Sequence, residues 1–206
     1  MIIATNNKGK LEEIKSILND YDIYSLKDKN INIEVIEDGD TFLDNAKKKA
    51  TEIYEVSKEE TIADDSGLSI NCLDGFPGVK TSRFLGENKS DREKNLYLIN
   101  EVNKYTDRSA KVICILVYYN GEKYIVGEGI LEGYISKECR GNNGFGFDEI
   151  FELENGKTLA ELSFEEKNKI SARYLALKDL KEKLTNRWFY ENIRRIKRYK
   201  WFYRYK

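Results

Sequence analysis

Apolar positions along the chain change period several times, and the changes predict strands interspersed with helices. Residues 2–5 read as a first strand, Thr5-Asn6-Asn7-Lys8-Gly9-Lys10 as a polar turn, and Leu11, Ile14, Ile17 and Leu18 recur at helical spacing. Tyr21–Tyr24 and Ile31–Ile36 predict short strands, the second alternating Ile31, Ile33 and Val35. Glu37-Asp38-Gly39-Asp40 is an acidic turn, after which Thr41 starts a helix with Asp44 three residues on, a relative of the capping box. Phe42, Ala46, Ala50, Ile53 and Tyr54 give that helix one apolar face. Thr61-Ile62-Ala63 predicts a short strand ending in an Asp64-Asp65 turn, with Leu68–Cys72 as another strand beyond it. Ser90-Asp91-Arg92-Glu93 is a capping box, continued by Leu96, Ile99 and Val102. Ala110–Tyr119 and Lys123–Ile135 flank Asn120-Gly121, a type I′ hairpin signal, and the first arm reads as buried on both faces. A final helix carries Leu175, Leu177, Leu180 and Leu184. The whole is an α/β pattern with one antiparallel hairpin inside the sheet.

Composition narrows the chemistry mainly by what is missing. The chain has 206 residues and not one histidine, which removes Ser-His-Asp and Cys-His nucleophilic catalysis, histidine-ligated zinc and imidazole general bases. Carboxylates, lysine, arginine, tyrosine or a metal must carry any reaction. Hydrophobic residues make up 40%, enough for a real core in one domain or two close lobes. A net charge of -1 argues against a protein that coats nucleic acid along its whole surface. No apolar run is long enough for a membrane span, and the strand-like opening does not resemble a signal peptide. Cys72, Cys114 and Cys139 are unclustered, which predicts free thiols and a cytoplasmic location.

Several stretches can carry chemistry. The Asp64-Asp65 pair suits a divalent cation such as Mg2+, because adjacent carboxylates repel and hard cations take their oxygens; an acidic turn stopped by Gly67 is the alternative. The turn at 5–10 presents amides, Asn7, Lys8 and Lys10 at a helix start, where phosphate binds, or it is simply a capped loop; it is not a Walker A motif. Lys47-Lys48-Lys49 point in three directions on a helix, so one can face a cleft. Pro77, the only proline, marks a rigid turn in Gly75-Phe76-Pro77-Gly78. Gly141-Asn142-Asn143-Gly144-Phe145-Gly146-Phe147-Asp148 allows close backbone approach with a phenylalanine available to stack, or is a flexible turn with core phenylalanines. Composition breaks after Thr185. Residues 186–206 interleave Arg and Lys with Trp188, Phe189, Tyr190, Trp201, Phe202 and Tyr203. Such a tail can bind single-stranded nucleic acid, lie on an anionic surface, or pack on the domain or a second subunit.

Five motifs together resemble the inosine triphosphate pyrophosphatase family, also called XTP/dITP diphosphatases. They are Ala4-Thr5-Asn6-Asn7-Lys8-Gly9-Lys10 with Glu13; Gly39 through Thr41-Phe42-Leu43-Asp44-Asn45-Ala46 with Lys49-Ala50; Ala63-Asp64-Asp65-Ser66-Gly67-Leu68 with Pro77-Gly78 and Ser82-Arg83; Gly144-Phe145-Gly146-Phe147-Asp148; and Ala160-Glu161-Leu162 with Glu165-Glu166-Lys167-Asn168, Ser171 and Arg173. They cover residues 1 to about 184 in order, so 1–185 is expected as one catalytic domain and 186–206 as an extension outside the resemblance.

The resemblance implies a long mixed β-sheet with flanking helices forming two lobes around a central cleft, usually as a homodimer. It implies cleavage of ITP, dITP and XTP between the α and β phosphates, giving the monophosphate and pyrophosphate and clearing deaminated purines from the nucleotide pool. It implies Mg2+, with Mn2+ as the alternative. By position, Asp65 is the catalytic acid/base and a metal ligand, Ser66 a substrate contact, and Thr5, Asn7 and Lys10 the triphosphate lining. Lys49, Arg83 and Lys167 match cationic positions near the phosphates. Phe145, with Gly146 and Phe147, is to stack on the base, Asp148 to hydrogen-bond around it, and Arg173 to donate to the purine 6-oxo group. Two positions depart from the family pattern. Ala172 stands where the family has histidine, and Ile36 where it has a metal-binding glutamate, so Glu37 is taken as the second metal ligand. These departures define the alternative: a degenerate nucleotide-binding relative with weak turnover or loosened base choice.

Overall fold

The computed structural model describes residues 1–86 and 88–185. The basic aromatic stretch expected over 186–206 lies outside the described residues.

Six strands form one mixed sheet in the order β2-β1-β3-β4-β5-β6. They are β1 (Ile2–Ile3), β2 (Tyr24–Ser25), β3 (Thr61–Ile70), β4 (Ser109–Tyr119), β5 (Tyr124–Ile135) and β6 (Phe151–Glu152). β1 runs parallel to β2 and β3, whereas β3, β4, β5 and β6 are successively antiparallel. The helices are α1 (Lys8–Ile17), α2 (Phe42–Ser57), α3 (Asp91–Val102), the single turn α4 (Phe164–Lys167), and α5 over 172–185.

Helix starts follow local side-chain chemistry. Asn7, Thr41 and Ser90 accept from backbone amides three residues on and so cap α1, α2 and α3, the last as a complete capping box. Ser171 Oγ accepts from the Tyr174 amide at 3.0 Å and caps α5 in the same way.

The sheet separates two apolar clusters. One, containing Ile14, Ile62, Leu68, Ile70 and Leu177, lies under α1, α3 and α5. The other, containing Ala46, Ala50, Ile53, Ala63 and Val117, lies under α2. Successive β3 residues therefore face opposite layers. α5 lies directly on β5 because glycine stands at the contact: a Cβ on Gly129 would come within 2.9 Å of the Leu175 Cβ. That close seating fixes the start of α5, where Arg173 sits.

Three sequence expectations are corrected. Thr61–Ile70 is one continuous strand, so Asp64 and Asp65 are mid-strand, not at a turn, and no separate strand begins at Leu68. Residues 31–36 form no strand: Ile31, Ile33 and Val35 pack on the α2-side cluster, but their backbone has no ladder partner. The β4–β5 hairpin turns through Asn120–Lys123, with Asn120 Oδ1 accepting from the Glu122 and Lys123 amides. Asn120 has no positive φ, so the turn is not type I′.

Candidate active site

β1 is too short to accompany β3 along its length. It pairs only with Thr61 and Ile62, and the last bond along that edge runs from the Ala4 amide to the Ile62 carbonyl. Beyond it the chain diverges into the Thr5–Asn7 turn, leaving the β3 edge open at Asp64. The Asp64 carbonyl is claimed there by Lys49 Nζ from α2. A cleft follows from this gap. Its wider part, about 820 Å³, is lined by Thr5, Lys10, Glu37, Lys49, Arg83 and apolar neighbours. A narrower part of about 220 Å³ is lined by Asn7, Ser66, Phe145, Asp148, Lys167 and Arg173 among others. Lys10 and Ser82 border both parts.

Asp65 points to the α2 layer. Its Oδ2 accepts from Asn45 Nδ2 at 2.9 Å and its Oδ1 from the Ser66 amide at 2.9 Å. Burial pushes its pKa up, Glu37 adds to the rise, and Lys49, Asn45 and Lys10 only partly offset it. Glu37 approaches from the acidic turn, with Oε1 2.5 Å from Lys49 Nζ and Oε2 3.8 Å from Arg83. Asn45 also accepts from the Gly39 amide at 2.8 Å, so one side chain orients Asp65 and anchors that turn. Burial would lower Lys49, but Asp64, Glu37 and Asp65 reverse that and raise it. Of the three consecutive lysines, only Lys49 turns inward; Lys48 pairs with Asp38 at 2.6 Å and Lys47 lies 5.7 Å from the Tyr124 ring centroid.

Asp64 points to the other layer. Lys10 Nζ lies 2.9 Å and Arg173 Nη2 3.2 Å from its Oδ2. Burial opposes its charge, but Lys10, Arg173 and Lys49 together hold the carboxyl well below the usual carboxylate range. Arg173 also donates to Glu13 Oε2, and to Ser66 Oγ at 3.2 Å. Desolvation would lower the guanidinium pKa, yet Asp64 and Glu13 raise it. Lys167 Nζ bonds Asp148 Oδ2 at 2.6 Å and lies 3.4 Å from Glu13 Oε1. Burial pushes Asp148 up despite Lys167, and the same Oδ2 accepts from the Phe145 amide at 2.8 Å. The Phe145 ring sits 4.4 Å from Lys167 Nζ, centroid to nitrogen. Gly9 makes room for it, since a Cβ there would come 2.7 Å from the ring.

Thus Asn7, Ser66, Phe145, Gly146, Phe147, Asp148, Lys167 and Arg173 gather at the narrow part, and Thr5, Glu37, Lys49 and Arg83 at the wide part, with Lys10 between. Sequence reasoning named Glu13 and Asn45 only as motif members and offered Asp64 with Asp65 as a cation pair, whereas Asp64 faces Lys10 and Arg173. Asn45 had a signal: an amide on the apolar stripe of α2, buried with 0% exposure. The family resemblance singles out Glu13 over Glu12, but no local pattern gives it a partner.

The donor set fits a hard cation. Glu37 adds to the cost of charge on Asp65, and one or two carboxylates completed by substrate phosphates is the usual way Mg2+ is held. On the opposite face of β3, Asp64 Oδ1 is buried with no hydrogen-bond partner among the described residues. No group of three or more His, Cys, Asp or Glu residues forms a closed protein cage among the described residues.

Comparison with known proteins agrees with this arrangement. The Ham1 family model matches residues 1–183. A dITP/XTP pyrophosphatase of Clostridium perfringens is 44% identical over 196 residues, covering 89% of this chain and 96% of that protein. A dITP/XTP pyrophosphatase of Bacillus subtilis is 45% identical over 190 residues, covering 89% and 96%. Among solved structures, the Ham1 protein of Staphylococcus aureus superposes with a TM-score of 0.83 at 36% identity, covering 90% of this chain and 98% of that one.

Proposed function

Because the chain belongs to the Ham1 family, we propose that its cleft hydrolyses the deaminated purine triphosphates ITP, dITP and XTP to the monophosphate and pyrophosphate. The observation that carries this is the two-part cleft. Lys10, Lys49 and Arg83 with the Glu34 and Glu37 carboxylates line its wide part, a phenylalanine face and a buried arginine line its narrow part, and Asp65, outside both linings, is held by Asn45. The likeness to dITP/XTP pyrophosphatases over 96% of their length gives no support to a degenerate binding relative.

Lys10, Lys49 and Arg83 supply positive charge along the wide part, where the triphosphate lies. Asp65 and Glu37 are the residues that would hold Mg2+, with Mn2+ as the alternative; when bound, the ion neutralises phosphate charge and polarises the scissile phosphorus. Asp65 also orients the attacking water and takes its proton, a task its raised pKa suits. The base enters the narrow part and stacks on Phe145. Arg173 Nε, buried and without a partner among the described residues, is the free donor for the purine 6-oxo group. An adenine amino group at that point sets donor against donor and leaves the arginine unsatisfied. Ala172 borders the same cavity, so the arginine sets base choice there without help from an imidazole.

A homodimeric assembly and a cytoplasmic setting belong to the same proposal. The three free cysteines support a reducing compartment, and no helix among the described residues is long and apolar enough to cross a membrane. For the extension at 186–206, contact with nucleic acid or an anionic surface rests on composition alone.

The test is pyrophosphate release with Mg2+ from ITP, dITP and XTP beside ATP and GTP. Strong preference for the first three over ATP is expected, while GTP, which keeps the 6-oxo group, is not rejected by Arg173. ATP turned over as fast as ITP would reject Arg173 as the base selector, and no release from any would reject the enzyme reading.

A further inference from the structure

We infer that Asp91 and Asn95, one turn apart on α3, are positioning residues that clamp the Gly146 peptide and thereby set where the Phe145 ring stands over the base cavity. The inference rests on the purine-nucleotide reading above and adds residues to which neither the sequence motifs nor the family resemblance gave a role.

Asp91 Oδ2 accepts from the Gly146 amide at 2.8 Å, and Asn95 Nδ2 donates to the Gly146 carbonyl at 2.9 Å. Both backbone polar groups of Gly146 are thus held by one helix. The chemistry is complementary and not interchangeable: a carboxylate can only accept and meets the N–H, whereas an amide donor meets the C=O. Asn95 is 2% exposed, so its donor is committed to this bond. The capping box at Ser90 fixes the helix start that presents both side chains.

Gly146 needs such a clamp. Its φ of +64° lies in the left-handed region, and nothing lies within 4 Å of where a Cβ would be, so no side-chain packing holds it. Phe145 is 36% exposed, and its ring lies against Gly9, Lys167 and, at 6.0 Å, the Arg173 guanidinium. Gly144, on its other side, also has positive φ, at +81°. A ring flanked by two glycines and half out of the core is placed by its backbone anchors. These are Asp148 at the Phe145 amide and the α3 pair at Gly146. Asp148 is tied to Lys167 inside the cavity, Asp91 borders the same cavity, and Asn95 holds Gly146 from behind its lining.

The clamp is tested by steady-state kinetics on ITP with Mg2+, beside competitive inhibition by inorganic tripolyphosphate, which fits the phosphate half and has no base. Asp91→Ala and Asn95→Ala are expected to raise KM for ITP about tenfold with kcat changed less than about twofold, as for lost ground-state positioning. Tripolyphosphate inhibition should stay at the wild-type value. Asp91→Asn keeps an acceptor oxygen and should return KM close to wild type. Asn95→Asp has no donor and should not. Asp91 is exposed, so its variants keep the fold even if those of Asn95 do not. Three results would overturn the clamp: unchanged KM in Asp91→Ala, ITP and tripolyphosphate weakening together, or Asp91→Asn as impaired as Asp91→Ala. If the wild-type protein itself turns over no ITP, the proposed function falls and takes the clamp with it. If wild type is active and the variants are unmoved, only the clamp falls.

Discussion

Asp64 and Asp65 are consecutive on β3, yet their surroundings drive them in opposite directions. Asp64 faces Lys10 and Arg173, and its charge is held firmly. Asp65 faces Asn45 and shares its layer with Glu37, and burial makes its charge costly. Strand alternation alone produces this separation, since neighbouring side chains cannot share a face. A carboxylate whose one oxygen binds two cations is committed to holding structure together. One left short of positive charge is available to a metal and to a proton. The adjacent acids are therefore two different devices, and the pair does not act as a shared-proton dyad.

The comparison can be pushed hardest by removing divalent metal. Chelation is expected to abolish ITP turnover and Mg2+ to restore it, while the melting temperature changes little because Lys49 and Arg83 still face the acids. A large fall in melting temperature on chelation would move the metal from catalysis to structure. Next, Asp64→Asn strips the charge partner from the buried Lys10–Arg173 side. Breaking such a cluster costs about 3–5 kcal/mol, so denaturant unfolding should show a loss of that order. A loss below about 1 kcal/mol would place Asp64 among weakly coupled exposed pairs. Smaller again, Asn45→Ala removes one of the two bonds to Asp65 and the tether on Gly39. We expect about a tenfold fall in kcat, in the range for misplacing a catalytic group by a fraction of an ångström. An unchanged kcat would show that the Ser66 amide alone orients the carboxylate.

Much of this was legible in the sequence where the rule is local. The caps at Thr41 and Ser90 and the hairpin arms depend on residues a few positions apart, and the chain forms them as read. Glycine misled where its role is tertiary. Gly67 reads as a turn stop after two acids, but it lies mid-strand because a Cβ there would come 2.6 Å from the Gly78 carbonyl and 2.9 Å from Phe42. Residues 31–36 alternate like a strand because one side packs on the core, while no neighbouring backbone completes a ladder. At the site, residues from all five motifs line one cleft, yet the sorting of Asp64 from Asp65 needed the strand's continuity. The Glu13–Arg173 pairing joins positions 160 residues apart, a contact that no spacing rule encodes.

The most direct measurement is pyrophosphate release from ITP with Mg2+ by wild type and Asp65→Asn, at equal folded concentration. Asp65→Asn keeps the shape and the bond from the Ser66 amide but supplies neither a charged ligand nor a base. The account predicts a fall of at least about 10³-fold, combining lost metal binding and lost general-base assistance, with the melting temperature at or above that of wild type. Activity within about tenfold of wild type would contradict it and return the catalytic role to the other carboxylates of the cleft.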